Sequence, residues 1–324
     1  MPRKPRVEYA GAVYHVMDRG DRLKTVFRDD GDRELFLKTL GQACERTGWR
    51  VHSYVLMRNH YHMLLETPEP NLSTGMQWLQ STYTIRHHVK HRLRGHLFQG
   101  RYKAIPVDGE DRKYFRTVSD YIRLNPARAG LARERLLDYR WSSFPALVRT
   151  PRKRPRWLCA KWVLEQGDRA AGRMALRKGL EQRAREDRKA GAIDKEMLKA
   201  LRRGWCFGSE AFRAALLDRL DGGAGRGSGM ERMHDEREAE RIVKEGLDAI
   251  GVKKINLSKT AKGSAEKVAL ASFIRKRTMM TNGWLSKKLH MGDPSRVSRY
   301  CCAAAGRPDI RKLIRKLEMS IGKD

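Results

Sequence analysis

The chain has 324 residues, in which 69 lysines and arginines outnumber 38 aspartates and glutamates and give a formal net charge of +31. Hydrophobic residues make up 40% of the sequence, and seven tryptophans, ten tyrosines and eight phenylalanines lie along it, which excludes a chain that is disordered throughout. No apolar stretch approaches the length of a membrane span, and the start of the chain leads into no apolar signal core. We therefore expect a soluble, cytoplasmic protein of about two domains.

The excess of positive charge predicts a nucleic-acid partner and association with the nucleoid. Lysines and arginines that displace condensed counterions from a polyanion bind it in a salt-sensitive way. The alternatives are a solubilising basic surface and adhesion to an anionic membrane, but no amphipathic membrane helix stands out. The five cysteines are odd in number and show no CxxC spacing, which favours a reduced cytosol over a disulfide framework or a zinc site.

The first 150 residues alternate strand-like and helix-like segments. Aromatic and β-branched runs predict the strands, and apolar positions at helical spacing predict the helices. In chain order these are a strand over 11–17, a helix over 32–44, strands over 49–57 and 60–66, a helix capped by Asn71, a strand over 101–107 that Pro106 places at an edge, and a helix over 111–123 that Pro126 ends. This order predicts an α+β, ferredoxin-like (RRM-like) split βαβ fold.

The rest of the chain has a different character. A basic, proline-bearing connector at 151–156 opens a helical middle segment over 151–221, to which we assign no chemistry. A glycine-rich linker follows at 222–229, and residues 230–324 form a second, all-α unit. We therefore expect a domain over 1–150, the middle segment, the linker and a carboxyl-terminal domain.

One set of residues in the first domain has the pattern of a phosphoryl-transfer site. His60 and His62 are two apart in a strand, so both imidazoles project to one face and can hold one ion. Tyr121 and Asn125 are four apart on a helix and share a face. A metal that polarises a phosphate beside a phenol would allow covalent attack by Tyr121. Taken singly, each of these residues is more often structural than catalytic.

Activation of Tyr121 requires the metal or a cationic neighbour, because a neutral phenol is a weak nucleophile. The basic residues that could supply this charge or contact DNA are Arg58, Arg101, Lys103 and Arg123, among which the sequence does not choose. A zinc hydrolase is the alternative for an H-x-H pair, although no acidic general base stands nearby in a recognisable motif.

Five ordered motifs resemble the transposase domain of the REP-associated tyrosine transposases, relatives of the insertion-sequence transposases that act on single-stranded DNA. They are YHVMDRGDR, MRNHYHMLLE, GHLFQGRYKAI, YIRLNPARAGL and YRWSSF. The resemblance implies a ferredoxin-like fold with an HUH motif, in which His60 and His62 are metal ligands and Tyr121 is the nucleophile. It places the third ligand at Asn125, where classical relatives have glutamine.

The resemblance also implies the reaction and its partners. Tyr121 would cleave one DNA strand beside a palindromic hairpin, with a 5′-phosphotyrosine link and a free 3′-hydroxyl that can later rejoin. The implied cofactor is Mg²⁺ or Mn²⁺, and two imidazoles suit Mn²⁺ better on ligand softness. The implied partner is single-stranded or hairpin DNA, bound by a monomer or a homodimer.

Two further regions are candidates for contacts with DNA. The first is a basic stretch that contains His87, His88, Lys90, His91, Arg92 and Arg94, for which a solvated helix end is the alternative. The second is a predicted helix-turn-helix in which Thr281 and Asp293 cap the last two helices. Its groove-facing residues would be Ser295, Arg296, Ser298 and Arg299. This segment resembles the helix-turn-helix of DnaA, and a plain three-helix packing module is the alternative.

Two other functions compete with the transposase hypothesis. A non-catalytic DNA-binding regulator derived from such an enzyme would rely on the carboxyl-terminal unit, but it has no need for His60, His62 and Tyr121 together. RNA binding on a ferredoxin-like sheet lacks the aromatic pattern expected for that function. The sequence therefore favours catalysis on single-stranded DNA.

Overall fold

A computed structural model of the protein describes residues 7–132, 135–164, 167–190, 200–201, 204–221, 230–252, 257–278 and 280–321. The chain divides into two compact units, one of Met1–Cys44 with Gly48–Gly227 and one of Glu45–Thr47 with Ser228–Asp324. The glycine-rich linker expected at 222–229 lies outside the described residues. Among the described helices, none combines the length and apolar character that crossing a bilayer requires.

The first unit is built on a four-stranded antiparallel sheet with the order β2-β3-β1-β4. The strands are β1 (Ala12–Arg19), β2 (Arg50–Leu56), β3 (His60–Thr67) and β4 (Lys103–Val107). The crossover helices are α1 (Asp30–Thr47) and α2 (Leu72–His91). This is the split βαβ, ferredoxin-like topology that the sequence predicts, and β4 is an edge strand as Pro106 indicates. Arg101 precedes β4 and is not part of it.

The two faces of the sheet are covered by different helices. Tyr61 projects to the face of the crossover helices, where its ring lies 5.0 Å from that of Phe36 on α1 and its hydroxyl accepts a hydrogen bond from Gln80 on α2. Side chains alternate between faces along a strand. His60 and His62 therefore project to the opposite face, which α3 (Arg112–Arg128) covers.

Two predictions about helix ends need correction. Pro126 does not end α3, which continues to Arg128. A proline removes one backbone hydrogen bond, but the residues on both sides of it, Leu124 and Ala127, are buried, and their packing keeps the last turn in place. Asn71 is the N-cap residue of α2 but makes no capping hydrogen bond, because its Oδ1 accepts one from Nε1 of Trp49 at 2.7 Å.

Irregular segments cover the two edges of the sheet. At the β4 edge, the amide of Phe207 donates to the carbonyl of Pro106 at 2.8 Å, and the amide of Asp108 donates to the carbonyl of Phe207 at 2.9 Å. At the β2 edge, Val51 donates to the carbonyl of Trp157 at 3.2 Å and accepts from Cys159 at 2.8 Å. The connector and the middle segment therefore lie in the same compact unit as the sheet.

Further helices and 3-10 turns of the first unit lie outside the sheet. They are α4 (Ser143–Leu147), α5 (Ala170–Ala190), α6 (Glu210–Asp221) and 3-10 turns at Asp21–Leu23, Leu136–Asp138 and Pro151–Lys153.

The described part of the second unit is helical. Its elements are α7 (Met230–Ile250), α8 (Ala265–Arg277), α9 (Asn282–Lys288), α10 (Pro294–Ala303), a 3-10 turn at Ala304–Gly306 and α11 (Pro308–Ile321). The predicted caps are present: Thr281 accepts from the amide of Trp284 at 3.2 Å, and Asp293 accepts from that of Ser295 at 2.7 Å. Gly292 adopts a φ of +82°, as the turn between α9 and α10 requires.

Candidate functional site

The predicted histidine pair lies on β3, with both rings on the face that α3 covers. His60 pairs with Arg19 of β1 and His62 pairs with Met17. The centroids of the two imidazoles are 5.2 Å apart, with the rings perpendicular. His62 is buried and His60 is partly buried. The strand therefore brings the two rings together as the spacing predicts.

Asn59 fixes the tautomer of His60. The amide nitrogen of Asn59 donates to the carbonyl of Leu23 at 3.3 Å, which directs its Oδ1 to Nδ1 of His60 at 2.8 Å. An amide oxygen only accepts, so Nδ1 of His60 carries the proton and donates it. Coordination of a cation by the neutral ring of His60 therefore uses Nε2.

A third histidine, which the sequence analysis missed, belongs to the same cluster. Nε2 of His15 on β1 lies 3.0 Å from Nδ1 of His62, and the two rings are stacked with centroids 5.2 Å apart. His15 is fully buried, and this burial lowers its pKa to about 3, although the backbone of Leu201 opposes the shift. The detectable signal was the motif YHV, whose central residue shares the face of Met17 on a strand next to β3.

Tyr121 faces this cluster from α3. The centroid of its ring is 5.8 Å from that of His62 and 5.8 Å from that of His15, in edge-on arrangements. Asn125 is buried one turn further on, and its Nδ2 donates to the carbonyl of Tyr121 at 3.0 Å. That bond leaves the amide oxygen as the only atom with which Asn125 can act as a ligand. The structure thus brings His60, His62 and Tyr121 of one chain together.

The predicted basic residues occupy different environments. Arg58, Arg101 and Lys103 are exposed, and Lys103 pairs with Met17 on the same face as His62. Arg123, in contrast, is 1% exposed, and its guanidinium donates to Ser53, Ser119 and Asp120.

The expected role of Arg123 as a contact to DNA is therefore wrong in this structure, because its donors satisfy interior acceptors. Burial lowers its pKa to about 10, so it stays charged at neutral pH.

Arg128, which the sequence did not single out, places a cation beside Tyr121. The guanidinium carbon of Arg128 lies 5.6 Å from the centroid of the Tyr121 ring, and its Nε donates to Asp187 of α5 at 2.8 Å. The two residues are seven apart on one helix, a spacing that returns to the same face after two turns. This spacing is the sequence pattern from which Arg128 could have been identified.

A comparison with protein families covers the stretch of chain that carries these residues. Residues 8–125, a little over a third of the chain, match the model of a family described as "Transposase IS200 like". Residues 8–125 are an IS200-like transposase domain. They contain the histidine pair and Tyr121, and they end at Asn125.

The other comparisons add little. A search of curated proteins gives no match. A solved structure described as a REP-associated tyrosine transposase bound to a REP hairpin is similar over 46% of this chain and 87% of its own, with 16% identity and a TM-score of 0.40.

A second cluster in the transposase domain joins the start of α1 to the end of α2. Among the described residues, Asp32, His87 and His91 form a group of three side chains that could hold a metal ion. Lys90, however, places its ammonium 2.8 Å from the same carboxylate oxygen that His91 contacts at 2.7 Å. Burial raises the pKa of Asp32, but hydrogen bonds from Lys90 and His91 outweigh it and keep that pKa below its usual value. Asp32 thus already has a cationic partner.

These contacts change the interpretation of the basic stretch at the end of α2. His87 is fully buried, while Lys90 and His91 are bound to Asp32 and so are engaged within the domain. Lys90, Arg92 and Arg94 are all exposed, but Lys90 is held by Asp29 and Asp32, which leaves Arg92 and Arg94 as the candidates for contacts with DNA.

In the second unit, the predicted groove-facing residues do not form a uniform set. Ser295, Arg296 and Arg299 are exposed. Ser298 is partly buried, and its hydroxyl accepts a hydrogen bond from Asn282 at 3.0 Å.

Proposed function

We propose that the protein is a metal-dependent transposase and nickase that cleaves and rejoins single-stranded DNA at palindromic hairpins through a 5′-phosphotyrosine intermediate. The observation that carries the proposal is the convergence of Tyr121 with His62 and His60 within an IS200-like transposase domain. Hairpin specificity rests on the resemblance of the sequence motifs to REP-associated transposases.

The donor set fits Mg²⁺ or Mn²⁺. His60 and His62 are each engaged through Nδ1, so both would present Nε2 to one ion. We propose the amide oxygen of Asn125 as the third ligand. When bound, the cation would polarise the scissile phosphate and stabilise the charge that develops on its oxygens.

The chemistry assigned to Tyr121 is nucleophilic attack on phosphorus. The phenolic oxygen forms the new P–O bond, the bond from phosphorus to the 3′-oxygen breaks, and the phenolic proton passes through solvent to that oxygen. The products are a 5′-phosphotyrosine and a free 3′-hydroxyl. One phosphodiester replaces another, so the reverse reaction can rejoin strands without an external energy source. Arg128 places positive charge beside the tyrosine ring, where the phosphate would arrive.

A basic depression beside the histidine pair supports single-stranded DNA as the substrate. It is lined by Asn59, which precedes His60, and by the cationic side chains Lys24, Arg28, Arg58 and Arg94, and none of the described residues that line it is acidic. Phosphates are the natural ligands of such a surface. In the second unit, the exposed side chains of Arg296 and Arg299 on α10 are the proposed contacts to duplex DNA.

The decisive experiment is the capture of a covalent protein–DNA adduct. A labelled pool of hairpin oligonucleotides with randomised single-stranded flanks is incubated with the full chain and Mn²⁺, and adducts are separated on a denaturing gel. Wild type should form an adduct, and Tyr121→Phe should form none. The control is Tyr114→Phe, because Tyr114 lies on the same helix but packs against Phe207. It should react like wild type.

Two results would overturn the proposal. Adduct formation by Tyr121→Phe would mean that another residue is the nucleophile. Hairpin binding by wild type without any adduct would favour the DNA-binding regulator.

A further inference from the structure

We infer that His15 is a positioning residue, which holds the His62 ring by its Nδ1 and thereby presents Nε2 of His62 to the divalent ion. The inference rests on the proposed function, because that function makes His62 a metal ligand. It assigns a role to a residue of β1 outside the H-x-H motif.

The contact between the two rings links the positions of their protons. Nε2 of His15 and Nδ1 of His62 are 3.0 Å apart, and the rings are nearly parallel, with an interplanar angle of 26°. One of these two nitrogens must donate. If His62 is to coordinate a cation as a neutral ring through Nε2, its proton lies on Nδ1. His15 is then the acceptor, with a bare Nε2.

The assignment also fixes the proton of His15. With Nε2 bare, the proton of the neutral ring lies on Nδ1. That nitrogen is buried and makes no hydrogen bond to the part of the chain that the structure describes. The backbone of Leu201 is nonetheless close enough to favour the protonated ring, as a carbonyl acceptor would. Leu201 belongs to the middle segment, which would thus help to fix the tautomer of His15.

The position of His15 in the sheet prevents it from acting directly. It pairs with Leu64 on one side and Ile105 on the other, and it is fully buried. His15 therefore acts through its neighbours: its ring nitrogen contacts His62, and its ring lies edge-on to that of Tyr121. Interactions of this kind, in which the second nitrogen of a metal-binding histidine is held by a neighbour, typically change metal affinity 10- to 100-fold when they are removed.

Two amide substitutions distinguish positioning from simple packing. In His15→Gln, the side-chain oxygen can reach the place of Nε2 and accept from His62. In His15→Asn, the oxygen corresponds to Nδ1 and falls short. His15→Phe keeps the ring volume but removes both nitrogens. A packing role predicts that Phe is the best replacement, whereas a positioning role predicts that Gln is the best.

The first measurement is calorimetric titration of the full chain with Mn²⁺. We expect His15→Phe and His15→Asn to weaken binding about 10- to 100-fold, and His15→Gln to stay within about threefold of wild type. Thermal unfolding by circular dichroism identifies any variant that does not fold. Equal Mn²⁺ affinity in wild type and a folded His15→Phe would overturn the inference.

The second measurement needs no metal. Long-range ¹H–¹⁵N spectra of the metal-free protein with labelled histidine report the tautomer of each ring, and His62→Gln assigns the signals of His62. Wild type and His15→Gln should show His62 with its proton on Nδ1, and His15→Phe should lose this preference. If wild type shows the preference but binds no Mn²⁺, the proposed function fails while the contact stands. If wild type has the proton of His62 on Nε2, the inference fails even where the covalent adduct forms.

Discussion

His87 is expected to lower the stability of the first unit in acid. Its ring is fully buried, and both of its nitrogens lack a hydrogen-bond partner among the described groups. Burial lowers its pKa from 6.5 to about 4, and the charges of His91, His88 and Arg28 act in the same direction. The carboxylate of Asp32, 3.7 Å from Nε2, opposes the shift but does not reverse it.

The sign and size of the effect follow from proton linkage. The unfolded chain binds a proton at this site near pH 6.5, whereas the folded chain stays neutral until about pH 4. The buried, neutral His87 therefore makes its full contribution to the free energy of unfolding above pH 6.5, and this contribution is lost as the pH falls towards 4. At pH 5.5 the unfolded state is protonated about ten times out of eleven and the folded state scarcely at all, so the free energy of unfolding falls by about 1.4 kcal/mol.

The assay is urea denaturation followed by tryptophan fluorescence at pH 8 and pH 5.5. Six of the seven tryptophans lie in the first unit, so the signal reports mainly on its unfolding; they are Trp49, Trp78, Trp141, Trp157, Trp162 and Trp205. Between the two pH values, His87→Leu should lose about 1.4 kcal/mol less stability than wild type. Other groups that titrate, including His15, cancel in this difference.

The matched control is Ile85→Leu, because Ile85 lies on α2 two residues before His87, is exposed and does not titrate. It should keep the pH dependence of wild type. The reasoning is refuted if His87→Leu and wild type lose equal stability, or if the His87 resonance titrates at or above pH 6.5. Either result would mean that the attraction of Asp32 outweighs the cost of burial.

Two pairs of substitutions test the packing of the two units. A Cβ at Gly75 would overlap the Trp49 ring, so Gly75→Ala should lower the free energy of unfolding by about 1–3 kcal/mol in urea denaturation. Gly179 on α5 has open space around it, so Gly179→Ala should raise the free energy of unfolding by about 0.5–1 kcal/mol. Equal effects at both glycines would contradict the packing. Thr281→Ala removes a capping bond and should cost about 1 kcal/mol of the second unit's stability, while Ser264→Ala, which caps nothing, should stay within about 0.5 kcal/mol by calorimetry.

The fold of the first unit was predictable from the sequence because its elements depend on local periodicity. The strands and helices appear in the expected order, and the i, i+2 spacing of His60 and His62 alone determines that they share a face. That Tyr121 lies opposite them required the family resemblance, since no local pattern brings α3 to that face of the sheet.

The errors concern residues whose environment is set by distant partners. Arg123 has the residue type expected of a DNA contact. Its guanidinium instead donates to Ser53 of β2, a partner that the sequence pattern of α3 does not reveal. Asn71 has the residue type of a cap, but Trp49 competes for its oxygen. His15 was overlooked because a single histidine in an apolar strand resembles core until the register of β1 and β3 is known.

The covered edges of the sheet restrict how two copies of this chain could assemble. The outward main-chain groups at Pro106 and Val51, which an incoming strand would need, already bond to Phe207, Trp157 and Cys159. Formation of a continuous sheet across two molecules would first require these segments to be displaced. These coverings therefore disfavour association by strand addition at the two edges, the route by which open sheet edges form fibrous aggregates.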